Sequence, residues 1–583
     1  RLDHGWRFHR GEPAGSGAGL DYDVRPLVHD NGDGKDADAR PDAAADVSTA
    51  AGAVLKPWIL PTGNALLPPD RQHARPPGNP GSNHPFVQSG FDDSTWEAVT
   101  LPHDWAIAGP FLLDGPHGGM GRLPSWGIGW YRRQLDVPAS DRGRRIALEF
   151  DGAMSYAAVW CNGRLLGGWP YGYNGWEVDL TDCLRYGGRN QIAVRLDNPP
   201  ASARWYPGGG LYRSVWLRRT GPVHVAQWAT QVTTPDVSPQ KATVQVRSVL
   251  RNDTPDARRV TAQVDLHVVD AQGAAAHAPV VRGQPIAVTV PADGTAPLQA
   301  TLALASPRLW GPPPTQRPNL YRAVTTVRDG DAVLDRMETT FGIRDIRFDP
   351  DRGFLINGER VPLRGVNNHH DLGALGAAFN VRAAQRQLEI LRQMGANAIR
   401  MAHNPPAPEL LDLADRMGML VVNEVFDSWE MKKTPLDFHL VFPDWHEQDL
   451  RAMLRRDRNH PSIILWSIGN EVGEQYSGED GARIAHRLRD IVREEDDRPV
   501  TSAMNYAKPD MALPAELDVI GLNYQGEGIR QSPEFEGTER IRTPPQYAAF
   551  HARHPDKAII GTETASTLSS RGEYLFPVTA KSR

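Results

Sequence analysis

The chain has 583 residues, too many for one ordinary core and enough, at about 100 to 200 residues per domain, for three or four. A formal charge of −6, from 64 Lys+Arg against 70 Asp+Glu, gives no global basic field for nucleic acid or anionic lipid, and no run approaches the ~18 apolar residues of a membrane span. Two cysteines, Cys161 and Cys183, exclude a disulfide framework and a multi-cysteine metal site, and leave open whether they pair with each other. The unusual feature is 16 Trp beside 55 Gly and 49 Pro, a mixture that fits loop-rich β domains whose flat aromatic faces can also line a ligand site.

From about residue 11 to 55 the chain is dominated by Gly, Ala, Asp and Pro, too little apolar surface to offset the entropy of ordering, so an irregular insertion is expected there. From Phe86 to Arg219 short runs alternate with period two, such as Ile146, Leu148 and Phe150, which predicts half-buried strands. Asn162-Gly163 between two such runs supplies type I′ hairpin chemistry, and a β-sandwich over 1–220 follows. A second strand set, including Val260, Ala262, Val264, Leu266 and Val268, predicts an immunoglobulin-like sandwich over 221–342.

From 343 the rhythm becomes strand then helix. Seven strands are expected, at 363–367, 398–401, 420–425, 463–469, 500–505, 519–523 and 558–562, with helices between them, two of which close at Gly395 and Gly418. An eight-stranded β/α barrel over 343–583 is the natural closure. A doubly wound open sheet competes with it, but lacks the Gly-rich phosphate turn after its first strand.

Two carboxylates stand at the ends of predicted strands. Glu471 follows Ile463 to Asn470, and Glu563 follows Ala558 to Thr562. An apolar strand ending in a carboxylate makes sense where that end opens into a wet pocket, because burying an unpaired carboxylate is expensive. Cleaving an acetal needs a proton for the departing oxygen and a nucleophile or base for the anomeric carbon. Two carboxylates about 5 Å apart divide those roles, since the charge on one raises the pKa of the other. The plainer reading makes each a surface strand-end residue in a local ion pair.

The segment Asp457-Arg458-Asn459-His460-Pro461-Ser462, running on through Ile463 to Asn470-Glu471, closely resembles the acid/base signature of glycoside hydrolase family 2, the family of β-galactosidases, β-glucuronidases and β-mannosidases. A second block, Asn397 to Pro406 continuing to Gly418-Met419-Leu420-Val421-Val422-Asn423-Glu424, is also similar, with departures at Met401 and Asn404. Leu101-Pro102-His103-Asp104-Trp105, Gly129-Trp130-Tyr131-Arg132-Arg133 and Val159 to Gly163 look like the sugar-binding jelly-roll domain that precedes the barrel in these enzymes.

The resemblance implies a retaining exo-glycosidase, with Glu471 as general acid then base and Glu563 as nucleophile. It further implies that Asn470 binds the sugar 2-hydroxyl, that Arg400 keeps the nucleophile ionised, and that Tyr524 contacts it. His403, His369 and His370 would donate to sugar hydroxyls, and Trp429 would stack on a sugar face, with ordinary structural roles as the alternatives for all four. Arg204 to Arg213 and His403-Asn404-Pro405-Pro406 look most like the β-galactosidase branch, so a β-galactoside oligosaccharide or glycan is the expected substrate, in the cell envelope or outside the cell. A β-glucuronidase would need an Asn-x-Lys for the sugar carboxylate, and near Glu563 only Lys581 follows.

In the metal-dependent galactosidases of the family, the loop after the third strand gives a carboxylate and a histidine to a magnesium site. Here it reads Asp427-Ser428-Trp429-Glu430, without the histidine, so no cofactor is expected to be required, although Asp427 and Glu430 leave room for a hard cation. A homo-oligomer is left open, and an inert carbohydrate-binding scaffold is the alternative from another functional class. Only Thr564 to Arg583 follow Glu563, without a convincing eighth strand and helix, since Tyr574-Leu575-Phe576-Pro577 is too short to supply both. The barrel is therefore expected to stop before its eighth strand.

Overall fold

Asn162 and Gly163 both take positive φ, 50° and 81°, and turn Ala157–Cys161 back onto Arg164–Trp169 as a two-residue hairpin. This hairpin is the edge of a six-stranded antiparallel sheet in the order Glu97–Val99, Trp6–Arg10, Gly127–Val137, Gly188–Asn198, Ala157–Cys161, Arg164–Trp169. A second sheet of Val215–Thr220, Arg145–Phe150 and Trp176–Asp179 belongs to the same sandwich. Its core is aromatic, and Phe150 stacks on Trp176 with centroids 4.3 Å apart, a contact worth about 0.5–1.5 kcal/mol beyond simple burial. Both cysteines are free thiols.

The computed structural model of the chain describes residues 1–20, 42–43, 54–112, 120–525 and 545–564. Most of the insertion expected over 11–55 lies outside these, but its described parts are anchored. Glu12 accepts hydrogen bonds from Trp130 Nε1 at 2.9 Å and Arg195 Nη2 at 2.9 Å. Asp42–Ala43 forms a two-residue strand paired antiparallel with Met431–Lys432 of the barrel.

The next sandwich consists of a four-stranded and a five-stranded sheet whose inward residues alternate, most regularly along Gly294–Ala305. Val244, Val246, Val264, Leu266, Leu302 and Tyr321 fill the space between. A three-stranded antiparallel sheet over Ile346–Asp349, Gly353–Ile356 and Glu359–Arg360 follows, which sequence reading overlooked.

Seven parallel strands then follow in chain order: Gly365–Asn368, Ala398–Met401, Leu420–Glu424, Ile463–Asn470, Val500–Met504, Val519–Asn523 and Ala558–Glu563. Helices fill the crossovers. Val381–Gln393 starts at Asn380, whose side chain accepts from Ala383 N, and Pro408–Met417 ends at Gly418 in the left-handed conformation with φ 72°. The seven strands form a curled part-barrel, and the expected stop before an eighth strand concerns residues outside the described ones.

The first sandwich docks directly on the barrel. Trp169 packs edge-on against Trp445 at 4.9 Å and donates to Asp449 at 2.8 Å, while Arg213 donates to the carbonyl of Pro405 at 2.9 Å. The apolar core is continuous across this junction.

Candidate active site

Parallel strands deliver their last residues to one face, and polar groups collect there. Arg400 comes from Ala398–Met401, Glu424 ends Leu420–Glu424, Asn470 ends Ile463–Asn470 with Glu471 next, Asn523 ends Val519–Asn523, and Glu563 ends Ala558–Glu563. Glu471 and Tyr524 leave their strands with φ of 47° and 54°. Non-glycine residues rarely take this left-handed conformation, and such positions cluster where surrounding structure forces a side chain into a working orientation.

Asn523 joins the two candidate carboxylates. Its Nδ2 donates to Glu471 Oε1 at 3.0 Å and to Glu563 Oε2 at 3.3 Å, and its Oδ1 accepts from the Thr562 hydroxyl at 2.6 Å, which fixes the amide orientation. One amide nitrogen within hydrogen-bond reach of both carboxyls brings them onto a single substrate-sized site.

Their surroundings differ in charge. Burial and then the neighbouring Glu563 push the Glu471 carboxyl up to about 7, against the opposing pull of Arg204 and Lys433. Burial would raise Glu563 too, but the His403 imidazole, the Arg400 guanidinium and a short bond from the Tyr524 hydroxyl outweigh it and hold Glu563 below its ordinary value.

Arg400 is gripped from behind. Its Nε and Nη2 form a fork on Glu424 at 3.0 and 2.8 Å, its Nη1 donates to Glu563 at 3.2 Å, and its Nη2 donates to Asn470 Oδ1 at 2.8 Å. Glu424 is fully buried, with Ser467 Oγ donating at 2.6 Å and His403 Nδ1 at 2.9 Å. Sequence reading quoted Glu424 only as part of a family-like block and assigned it nothing. With the strand expected to reach Val425, Glu424 was not recognised as a carboxylate at a strand end.

The first sandwich also reaches the site. Arg204 lies 2.9 Å from Asp427 and 3.8 Å from Glu471, and Trp205 packs against the rings of His369 and His403 at 5.2 and 5.6 Å. Buried Asp104 secures this loop, accepting from Tyr206 Oη at 2.6 Å, Gly209 N at 3.1 Å and, across the junction, Ala377 N at 2.8 Å.

His403 is thus bonded to Glu424 behind the candidate nucleophile, with the His369 ring against it at 5.2 Å, whereas His370 is used at the junction, where its Nε2 donates to the Pro207 carbonyl at 3.0 Å and its ring meets Tyr173 and Tyr212. Trp429 needs correction. It is fully buried, its indole N–H donates to the Ile468 carbonyl at 2.8 Å, and its ring stacks with Phe442, so no face is open to a sugar.

The room left for a hard cation at Asp427 is also taken. Arg204, Lys433 Nζ at 2.7 Å and Asn470 Nδ2 at 2.8 Å converge on Asp427, and Glu430 is half exposed near Arg487. These donors do not fit a magnesium site. Among the described residues, one group of three has metal-ligand spacing, Asp412, Asp415 and His460, but it lies at the opposite strand ends, where Asp415 is bonded to His460 at 2.6 Å and to Ser462 N at 3.0 Å.

Three family descriptions match in the order of the sheets: "Glycosyl hydrolases family 2, sugar binding domain" over 123–220, "Glycosyl hydrolases family 2" over 223–344, and "Glycosyl hydrolases family 2, TIM barrel domain" over 350–574. The chain belongs to glycoside hydrolase family 2. Within family 2 it is 39% identical to beta-galactosidase BoGH2A of Bacteroides ovatus over 526 residues, covering 84% of this chain and 58% of that protein. A crystal structure of a family 2 member from Bacteroides cellulosilyticus superposes with a TM-score of 0.75 at 31% identity, covering 97% of this chain and 61% of the other. A calcium binding mutant of Bacteroides uniformis beta-glucuronidase 2 superposes with a TM-score of 0.68 at 29% identity, covering 84% and 58%. The chain therefore spans about three fifths of the length of these family 2 relatives.

Proposed function

We propose that the chain is the catalytic part of a retaining exo-β-glycosidase that removes terminal, non-reducing β-D-galactosyl residues. The observation that carries this is the Glu471–Asn523–Glu563 bridge between carboxyls of opposite electrostatic setting. One carboxyl, raised to about 7, holds a proton near neutrality, and the other, held low, is an ionised nucleophile.

In the first step Glu563 attacks the anomeric carbon while Glu471 gives its proton to the departing oxygen. In the second, Glu471 takes a proton from water, which displaces Glu563 and restores the configuration. Arg400 and Tyr524 keep Glu563 ionised and aimed. Asn470, which donates to Asp427 and accepts from Arg400, meets the sugar 2-hydroxyl in this reading, and His403 and His369 donate to other sugar hydroxyls. No step is routed through a metal.

Galactose is favoured by the likeness to the Bacteroides ovatus enzyme, while the likeness to a β-glucuronidase keeps a glucuronide as the competing substrate. A panel of aryl β-galactoside, glucuronide and mannoside decides between them. Glu563→Ala supplied with azide should yield the α-configured glycosyl azide, and a β product would remove Glu563 from the nucleophile role.

A further inference from the structure

Lys433 appears in no motif, yet it is almost completely buried beside the proposed acid, with a side-chain exposure of 3%. Its ammonium donates to Asp427 Oδ1 at 2.7 Å and to the carbonyl of Asn470 at 2.6 Å. That carbonyl belongs to the peptide linking Asn470 to Glu471, so the bond pins the backbone where the chain turns into the left-handed conformation that aims Glu471.

The lysine is itself held in place. Its backbone N–H and that of Thr434 donate to Asp437 Oδ2 at 2.8 Å, and Asp437 Oδ1 accepts from His439 N at 3.1 Å. Earlier in the loop, the peptide N–H groups of Glu430 and Met431 have Glu474 Oε1 as acceptor at 2.7 and 2.8 Å. A long flexible side chain is thus delivered to one point by a loop tied at both ends.

We propose that Lys433 is a positioning residue for Glu471: its ammonium, counterbalanced by Asp427, fixes the Asn470–Glu471 peptide and sets how readily Glu471 releases and retakes its proton. The inference rests on the reading of Glu471 as acid/base. Charge from several elements converges there. Glu563, from the last described strand, disfavours ionisation; Arg204, from the first sandwich, and Lys433 favour it; Asn523 donates to the ionised form; Asp427 neutralises part of both cations; Arg400 and His403 stand behind Glu563. A two-step mechanism needs Glu471 protonated first and ionised second. A covalently attached cation at this point keeps both forms accessible without an exchangeable ion.

The test is the pH dependence of kcat/KM on an aryl glycoside, measured on the full chain. Lys433→Gln retains a donor for the Asn470 carbonyl but loses the charge, and should move the alkaline limb upward by about one pH unit. Asp427→Asn leaves the two cations uncompensated and should move the same limb downward. Lys433→Arg should leave it in place, and a limb displaced in this charge-conserving variant would overturn the proposal even if the others fail to fold. Limbs that stay put in Lys433→Gln and Asp427→Asn, or that move the same way in both, also overturn it, since general loosening has no reason to give opposite signs. Glu471→Gln in the same buffers separates the two readings. If it keeps the wild-type limb, Glu471 is not the acid. If the limb disappears there but does not move in Lys433→Gln, only the assignment of Lys433 falls.

Discussion

The amide nitrogen of Asn523 is shared between Glu471, at 3.0 Å, and Glu563, at 3.3 Å. A neutral donor between two carboxylates lets them approach without a second cation, and Thr562 prevents the amide from flipping. Asn523→Asp would put a third acid there. Each lost hydrogen bond to a charged group is worth about 1.5–3 kcal/mol, so losing both should lower kcat/KM by about 10²–10⁴-fold with the circular dichroism spectrum unchanged.

The pH profile should be bell-shaped. Glu471 must carry a proton, so activity should fall as pH rises through about 7, where this raised carboxyl ionises. Glu563 must be ionised, and because its pKa is depressed the acidic limb should lie below the ordinary carboxylate range. The same sign rule predicts that Glu471 makes folding less favourable as it ionises, since the folded chain holds that proton more tightly than the unfolded one does. Stopped assays from pH 3 to 10, with a check that activity returns at neutrality, measure both limbs.

Glu471→Gln should lose about 10²–10⁴-fold in kcat on glycosides with poor leaving groups, the usual contribution of a positioned acid. On a dinitrophenyl glycoside, whose leaving group needs no proton, glycosylation should be nearly as fast as in the parent, and an initial burst should be followed by slow turnover. Equal losses on both substrates in kcat/KM, which reads only the glycosylation step, would remove Glu471 from the acid role.

Glu424→Gln should both destabilise and inactivate. Glu424 is fully buried and carries the fork from Arg400, so neutralising it leaves an uncompensated guanidinium, at a cost of about 3–5 kcal/mol measurable by urea unfolding. The freed Arg400 charge should then fall more heavily on Glu563, lowering its pKa further and weakening it as a nucleophile.

The strand–helix rhythm of the barrel was legible because buried strands and amphipathic helices have different periods, and Gly395 and Gly418 mark helix ends that require positive φ. Glu471 and Glu563 were legible because a charged residue closing an apolar run is costly without a purpose. Glu424 was passed over because the expected strand ran on to Val425 and placed the carboxylate inside it, whereas the strand ends at Glu424. Trp429 was misread because a core tryptophan and a sugar platform look alike in sequence. Arg204, quoted only within a family-like block, and Lys433 were given no role for a different reason: no local pattern shows that a sandwich loop and a barrel loop meet on one aspartate.

The sandwich loop that presents Arg204 and Trp205, tied by Asp104 to the barrel segment at Ala377, makes the pocket the common property of two units with separate strand sets. A barrel expressed without its sandwich would expose Trp445 and leave Asp427 with one cation instead of two. A foreign sandwich would have to reproduce the register of that loop, not merely its fold.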